Sequence, residues 1–395
     1  MLRRTCVAGV GMIPFAKPGA SASYIEMGAT AVRLALQDAG LPYEKVQQAY
    51  AGYVFGDSTC GQSALYEVGL PGIPVINVNN NCSTGSTALF LARQAVASGA
   101  VDCVIAVGFE QMQAGALKGN FEDRPPVLGK ATQVASESFP EGRGMPGALM
   151  FFGGAGREHM QKYGTKMETF AAIRAKASRH AANNPLAVFR KVVTTEEVMA
   201  DQVVWPGVMT RLMACPPTCG AAAAVLCSED FARRHGLRSD VRILAQAMTT
   251  DRAAAFDPPS MISLVGSDMT SAAAQQVYAA AGVGPEDIRV CELHDCFAHN
   301  ELLTYEALGF CDAGAGERFV EDGDNTYGGR VVVNPSGGLL SKGHPLGATG
   351  LAQCFELTQQ LRGHAQGRQV EGLNHALQHN LGLGGACVVT LYGRG

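Results

Sequence analysis

Short runs that are apolar at nearly every position alternate along the chain with longer windows whose apolar residues recur at helical spacing. Runs of the first kind read as strands buried on both faces, and windows of the second kind as helices packed against them. Residues 5–10 form such a strand, and the window 24–39, preceded by Ser21-Ala22-Ser23 and closed by Gly40, reads as an amphipathic helix. Strands follow at 46–55, 74–78 (a short buried one) and 102–108. Between the last two lies a window, 84–98, that is apolar almost all round and is stopped by Gly99. It predicts a helix inside the core rather than on the surface.

From Met112 to Met213 the pattern changes. Clusters such as Arg124-Pro125-Pro126 and Pro140-Glu141-Gly142-Arg143-Gly144-Met145-Pro146 alternate with helical windows such as 166–182, which marks an inserted loop domain. A strand at 221–226 rejoins the sheet, and then the order of elements repeats. Strands are expected at 241–248, 288–293, 331–333, 375–380 and 386–392, and helices at 271–281, 300–308 and 349–361. The result is an α/β chain made of two copies of one β-α-β-α-β-α-β-β plan, alike in order though not in visible sequence. The expected division is 1–111 for the first part of the N-terminal half, 112–213 for the inserted domain, 214–240 for the return strand and connection, and 241–395 for the C-terminal half.

Composition narrows the function. Hydrophobic residues make up 47% of 395 and charged ones 17%, with 48 glycines, which excludes a largely disordered chain. Net charge is −4 with no basic run, so neither nucleic acid nor an anionic membrane is an expected partner. The apolar opening is broken by Gly9, Gly11 and Pro14, unlike a signal peptide, and no apolar stretch approaches the roughly 20 residues of a membrane span. Twelve cysteines lie scattered without framework spacing, and the last residues, Tyr392-Gly393-Arg394-Gly395, are not a peroxisomal address; a reducing, cytoplasmic location is expected.

Candidate chemistry collects at strand ends. Cys82 stands where the strand at 74–78 gives way to the buried helix at 84–98. A thiolate there would face the unpaired N–H groups of the first turn, which lowers a cysteine pKa from about 8.5 towards neutrality; the alternative is a small buried hydrophobe. Three more segments follow strands and open on the same edge: 292–301, 334–350 and 379–386. Together they bring histidines and a second cysteine to Cys82, and so the nucleophile, base, second acid/base and oxyanion donors that acyl transfer needs. His294-x-Cys296-x-x-His299 has metal-like spacing but lacks a fourth ligand, so no metal is expected. Gly9-Val10-Gly11 lacks the third glycine of a dinucleotide site. His375 and His379 share a strand face and read as structural, while Asp295 reads either as an orienting group or as a helix cap.

Asn79-Asn80-Asn81-Cys82-Ser83-Thr84-Gly85-Ser86, His294-Asp295-Cys296-Phe297, Gly343-His344-Pro345 and Gly382-Leu383-Gly384-Gly385, in this order, resemble the thiolase superfamily and, more narrowly, its sterol-carrier-protein-2 type. The resemblance runs from about residue 3 to 393. It implies the thiolase fold, two βαβαβαββ halves in a five-layer αβαβα arrangement, and acyl-CoA:acetyl-CoA C-acyltransferase activity on 3-ketoacyl-CoA. Cys82 would be the acyl-accepting nucleophile and His344 would assist its deprotonation. Cys296 would take the acid/base duty that ordinary thiolases give to a cysteine at the position of Gly382. His294 and His344 would hold the enolate oxygen, and the N–H groups of Cys82 and Gly384 the acyl-enzyme oxygen. Coenzyme A enters as substrate with no permanently bound cofactor, and a homodimer or homotetramer is implied. Cys219-Gly220-Ala221-Ala222 departs from the family's usual Asp-Gly-Ala-Ala, and residues 125–150 match it poorly. The competing reading is a thiolase-like lyase or non-thiolytic subunit that works with a small partner protein on steroid side-chain CoA esters.

Overall fold

The computed structural model describes residues 2–115 and 123–395; residues 116–122 of the expected inserted domain lie outside the described residues. In chain order the strands are β1 (Thr5–Met12), β2 (Gln48–Gly52), β3 (Val75–Val78), β4 (Cys103–Glu110), β5 (Val203–Trp205), β6 (Met209–Thr210) and β7 (Gly220–Ser228). The second half adds β8 (Val241–Thr249), β9 (Val290–Glu292), β10 (Val332–Val333), β11 (His375–Gly382) and β12 (Ala386–Arg394). Ten of them form one sheet in the order β10-β9-β11-β12-β8-β1-β7-β4-β2-β3, and β5 and β6 form a separate hairpin.

The sheet is a duplication. From edge to centre, β3-β2-β4-β7-β1 repeats as β10-β9-β11-β12-β8. In each half three neighbouring strands are parallel, and the late strand (β7 or β12) lies antiparallel between its neighbours. The halves join where β1 meets β8 at Cys6 and Arg242.

The Thr84–Ser98 and Thr349–Arg362 helices pack on one another and touch strands of both halves. Tyr24–Ala39 covers the far face of the first half-sheet, and Ser267–Ala281 that of the second, which completes an αβαβα stack. Ala88, Leu89, Ala92, Val96, Leu351 and Leu357 fill the central layer, all fully buried. That placement explains the largely apolar circumference of the central helices: Thr349–Arg362 is buried almost all round, and Thr84–Ser98 on all but a stripe through Phe90, Leu91 and Gln94. The expected elements form, with most limits shifted by a few residues. Two differences bear on the site. β2 stops at Gly52, so Val54 and Phe55 belong to a loop. β3 is a half-buried edge strand rather than a buried one, since it pairs with β2 alone.

The inserted segment carries the helices Gly129–Ser138, Gly147–Tyr163, Met167–Ala182 and Thr195–Met199. It leaves from the first half yet packs on the second: Gly147–Tyr163 and Met167–Ala182 both lie against the Ala298–Ala307 helix. Phe152 stacks on Phe297, next to Cys296, with ring centroids 5.1 Å apart. No helix among the described residues is long and apolar enough to cross a membrane.

Candidate active site

Cys82 sits in a tight turn between β3 and the Thr84–Ser98 helix. Asn81 holds φ +52°, a left-handed conformation that asparagine tolerates better than most residues, and its amide donates to the Leu383 carbonyl at 3.0 Å. Thr84 Oγ1 accepts from Asn80 N–H (2.9 Å) and donates to the Asn81 carbonyl (2.6 Å), which clamps the turn. The N–H groups expected to face the sulfur are engaged within the turn: Ser83 N–H on Asn80 O and Thr84 N–H on Asn81 O, both at 3.1 Å. The expectation of a thiol lowered by the helix terminus is therefore corrected. Burial, reinforced by the nearby Glu110 carboxylate, pushes the Cys82 thiol up to about 12, and only its own N–H opposes this.

Two imidazoles complete a triangle with that sulfur. Ligand-type atoms of Cys82, His294 and His344 all lie within 4.8 Å of one another, and the two rings stand edge to face with centroids 5.0 Å apart. Burial lowers both histidines, helped for His344 by Lys342 and for His294 by His344 and His379, so both are neutral at physiological pH; His344 falls to about 3. The hydrogen-bond network then assigns their tautomers.

Thr349 Oγ1 donates to the Pro345 carbonyl at 3.0 Å, so His344 Nδ1, 2.7 Å from that oxygen, must donate to it. Among the described residues His344 Nε2 has no hydrogen-bond partner and is left as a bare lone pair. Around His294 the logic runs the other way. Gln378 donates to Ser86 Oγ, which must donate to Asn380 Oδ1, each at 2.8 Å. The Asn380 NH₂ therefore faces the Cys82 carbonyl (3.2 Å) and His294 Nδ1 (3.0 Å). His294 Nδ1 accepts, and its proton rests on Nε2. One histidine presents a base and the other a donor.

Cys296 is buried after β9, and its carbonyl accepts from Cys215 N–H at 2.8 Å. Burial raises its thiol well above the ordinary range, and the neighbouring Cys215, Cys82 and Asp295 add to this. Asp295 caps the turn Gly338–Lys342 by accepting from Leu339 N–H (2.7 Å), and this settles its role as a cap just ahead of His344. His379 supports the site from behind: its Nδ1 accepts from His294 N–H at 3.4 Å. Gly384 stands in the β11–β12 turn at φ +98°, and Leu128 of the inserted segment approaches its Cα face. At Gly382 a Cβ would overlap the Asn80 carbonyl oxygen and crowd Ser83, so no side chain fits there. Cys219 is buried with its thiol on the Met112 carbonyl at 3.4 Å, a structural contact.

Asn380 and Thr349, which fix the tautomers, and Glu110 carried no role in the sequence reading. Asn380 lies in the segment 379–386 but shows no distinguishing spacing. Thr349 reads only as a helix start, although its place five residues after His344 would have allowed the contact. Glu110 ends an otherwise apolar strand, and that was the one signal available for it.

The triangle is also the donor set of a Cys-His₂ metal site, whereas His299 turns away and places Nε2 3.0 Å from the Val208 carbonyl. Ligation through His294 Nε2 would require moving its proton and reversing the Asn380 amide against Ser86 and Gln378. The arrangement suits proton transfer better than a resident ion.

Residues 5–205 match the family model "Thiolase, N-terminal domain", and residues 258–392 match "Thiolase C-terminal domain-like"; the chain belongs to the thiolase family. It is 54% identical to sterol carrier protein 2 of Oryctolagus cuniculus over 398 aligned positions, covering all of this chain and 72% of that one. It is 35% identical to the acetyl-CoA acetyltransferase of Methanothermobacter thermautotrophicus, with both chains covered in full. A solved structure titled Ltp2-ChsH2(DUF35) aldolase superposes with a TM-score of 0.82 at 24% identity, covering 99% of this chain and 98% of that one.

Proposed function

We propose that the protein is an acyl-CoA:acetyl-CoA C-acyltransferase working through a Cys82 acyl-enzyme. The observation that carries this reading is the pairing of opposite tautomers beside one sulfur: His344 with an unprotonated Nε2 and His294 with a protonated one, each with a ring nitrogen within 4.8 Å of the Cys82 ligand atom. A thiol held near 12 beside an imidazole held near 3 does not rest as an ion pair. Its proton leaves as the sulfur attacks, in the manner of general-base catalysis.

Cys82 Sγ adds to the C3 carbonyl of a 3-ketoacyl-CoA while its proton passes to His344 Nε2. Backbone N–H groups of Cys82 and Gly384 receive the developing oxyanion. The C2–C3 bond breaks with its electron pair moving to C2, which leaves acyl-Cys82 and the enolate of acetyl-CoA. The enolate oxygen is held by the Nε2–H of His294 and the newly protonated Nε2 of His344. Cys296 gives C2 its proton, and acetyl-CoA departs. The thiol of CoA then gives its proton to the Cys296 thiolate and attacks the acyl-enzyme, and Cys82 leaves as the thiol with the proton held by His344. Condensation is the same path reversed.

Coenzyme A serves as substrate here, with no permanently bound cofactor and no metal. Twelve free thiols fit a reducing compartment, and we place the protein in the cytoplasm. The half-buried edge strand β3, which leads into the Cys82 turn, is the surface through which we expect a homodimer or homotetramer to form. Incubation with an acyl-CoA followed by mass spectrometry tests the proposal: an acyl adduct on the Cys82 peptide is expected, absent in Cys82→Ala, and no adduct in the wild type removes the mechanism.

The fold likeness to the Ltp2-ChsH2 aldolase favours a second reading, a lyase or non-thiolytic subunit acting with a small partner protein on steroid side-chain CoA esters. Thiolysis by the isolated chain would rule it out.

A further inference from the structure

We propose that Glu110 is a positioning residue for His344: its carboxylate docks the loop of the second half that carries this histidine onto the strand ends of the first half. The inference rests on the reading of Cys82 and His344 as nucleophile and base.

Glu110 is the last residue of β4 and is 1% exposed. Oε1 accepts from Phe55 N–H at 2.9 Å, and Oε2 accepts from Val54 N–H at 3.1 Å and from Gly347 N–H at 3.0 Å. Val54 and Phe55 belong to the loop after β2. Gly347 lies three residues beyond His344 and two before Thr349, the residue that orients the imidazole. One carboxylate thus ties two first-half strand ends to the His344 loop. Burial of a charge without a cation is expensive, and this one raises the Glu110 carboxyl to about 7, with the three N–H groups opposing. The charge also acts against ionisation of Cys82. A group that costs stability and hinders the thiolate needs a compensating role, and its hydrogen bonds show where that role lies.

Packing around Gly347 points the same way. A Cβ there would overlap the Phe109 carbonyl oxygen and crowd Gly52 O and Tyr53 Cα. A Cβ on Gly108 would strike Gly347 O, and one on Gly85 would come within 2.7 Å of it. Backbone meets backbone at Gly85, Gly108 and Gly347, so the Gly347 peptide is wedged between β2, β4 and the start of the Cys82 helix. In that wedge the Gly347 N–H has no route to water, and Glu110 is its acceptor. Asp295 pins the other end of the same segment at Leu339, so the stretch between is held from both sides. Loss of the Glu110 tie would let His344 Nε2 drift from Cys82, although Glu110 itself touches neither the sulfur nor the substrate.

The test is a double-mutant cycle read by iodoacetamide alkylation of Cys82, followed by peptide mass mapping, so that it needs no acyl transfer. Glu110→Gln keeps the volume but turns an NH₂ towards at least one of the three N–H donors. The expected result is a fall in the alkylation rate constant of about 10-fold or more, the scale on which displacements of ~1 Å are felt, with full final labelling. In a His344→Ala background the same substitution should not slow alkylation, because there is no imidazole left to position, while loss of the charge that opposes the thiolate can only raise the rate. Equal losses in both backgrounds, or no loss in either, overturn the proposal. A biphasic time course whose fast phase matches the alkylation rate of the urea-unfolded chain, the mark of a partly unfolded population, overturns it as well. If alkylation depends on Glu110 as described while no acyl adduct ever forms, the acyltransferase reading fails and this one stands.

Discussion

The two halves of the molecule have the same strand order and the same central helix, yet equivalent positions do different chemistry. The helix after β3 is entered through five residues, 79–83, that end in a clamped turn bearing the nucleophile. The helix after β10 is entered through fifteen, 334–348, a long segment that carries His344. The end of β2 supplies only backbone N–H groups to Glu110, whereas the end of β9 supplies His294, Asp295 and Cys296. The duplicated sheet provides one shared edge, and the loops divide the labour across it. On the proposed mechanism the first half makes the nucleophile and the second handles protons.

That division can be broken cleanly. Cys296→Ala should leave acylation of Cys82 by a simple thioester intact and abolish exchange of the α-protons of acetyl-CoA with deuterium, as followed by NMR. Exchange that persists would move the second acid/base elsewhere. His344→Ala should slow acylation by about 10²–10⁴-fold, the usual weight of a positioned general base. The pH profile sharpens the same point. With the thiol near 12, the rate of Cys82 alkylation in the wild type should still be rising above pH 8, because the thiolate fraction grows with pH up to that value. A plateau near neutrality would mean a preformed thiolate–imidazolium pair.

Much of this was legible before any coordinates, and the reason is physical. Strands buried on both faces cannot hide in a sequence, and neither can helices buried on most of their circumference, so the duplicated order and the limits of Thr84–Ser98 followed from the apolar pattern and the Gly99 stop. Residue types at strand ends carried Cys82, His294, Cys296 and His344. The thiol's energetics were not legible. Whether a helix terminus lowers a cysteine depends on where its N–H groups point, and here Asn80 and Asn81 carbonyls take them. Nor could pattern reveal that β3 is an edge, or that the inserted segment returns to pack on the half it does not belong to, since both are long-range pairings.

The halves also differ in what their turns admit. Gly382 closes β11 against the Asn80–Ser83 turn, so Gly382→Cys should not place a working thiol beside Cys82. It should cost about 1–3 kcal/mol as an overpacked site, measured by denaturant midpoint. A variant as stable as the wild type that restored exchange to Cys296→Ala would show that the turn yields and that the sequence, not the space, excludes cysteine there.

The smallest expected effect tests the tautomer itself. Thr349→Val keeps the shape of the side chain but removes the acceptor for His344 Nδ1–H, together with the hydroxyl's own bond to the Pro345 carbonyl. A buried N–H without a partner costs about 1–3 kcal/mol, which favours the tautomer with the proton on Nε2 and the lone pair turned away from sulfur. Acylation should slow by roughly 10-fold, since 1.4 kcal/mol is a factor of ten, within that range. Thr349→Ser retains the hydroxyl and should keep nearly the full rate. The comparison isolates the hydrogen bond from the packing: if Val keeps the full rate, or if Ser, which retains the hydroxyl, slows the reaction as much as Val, the acceptor is not what sets the rate, and the assignment of His344 Nε2 as the bare base loses its support.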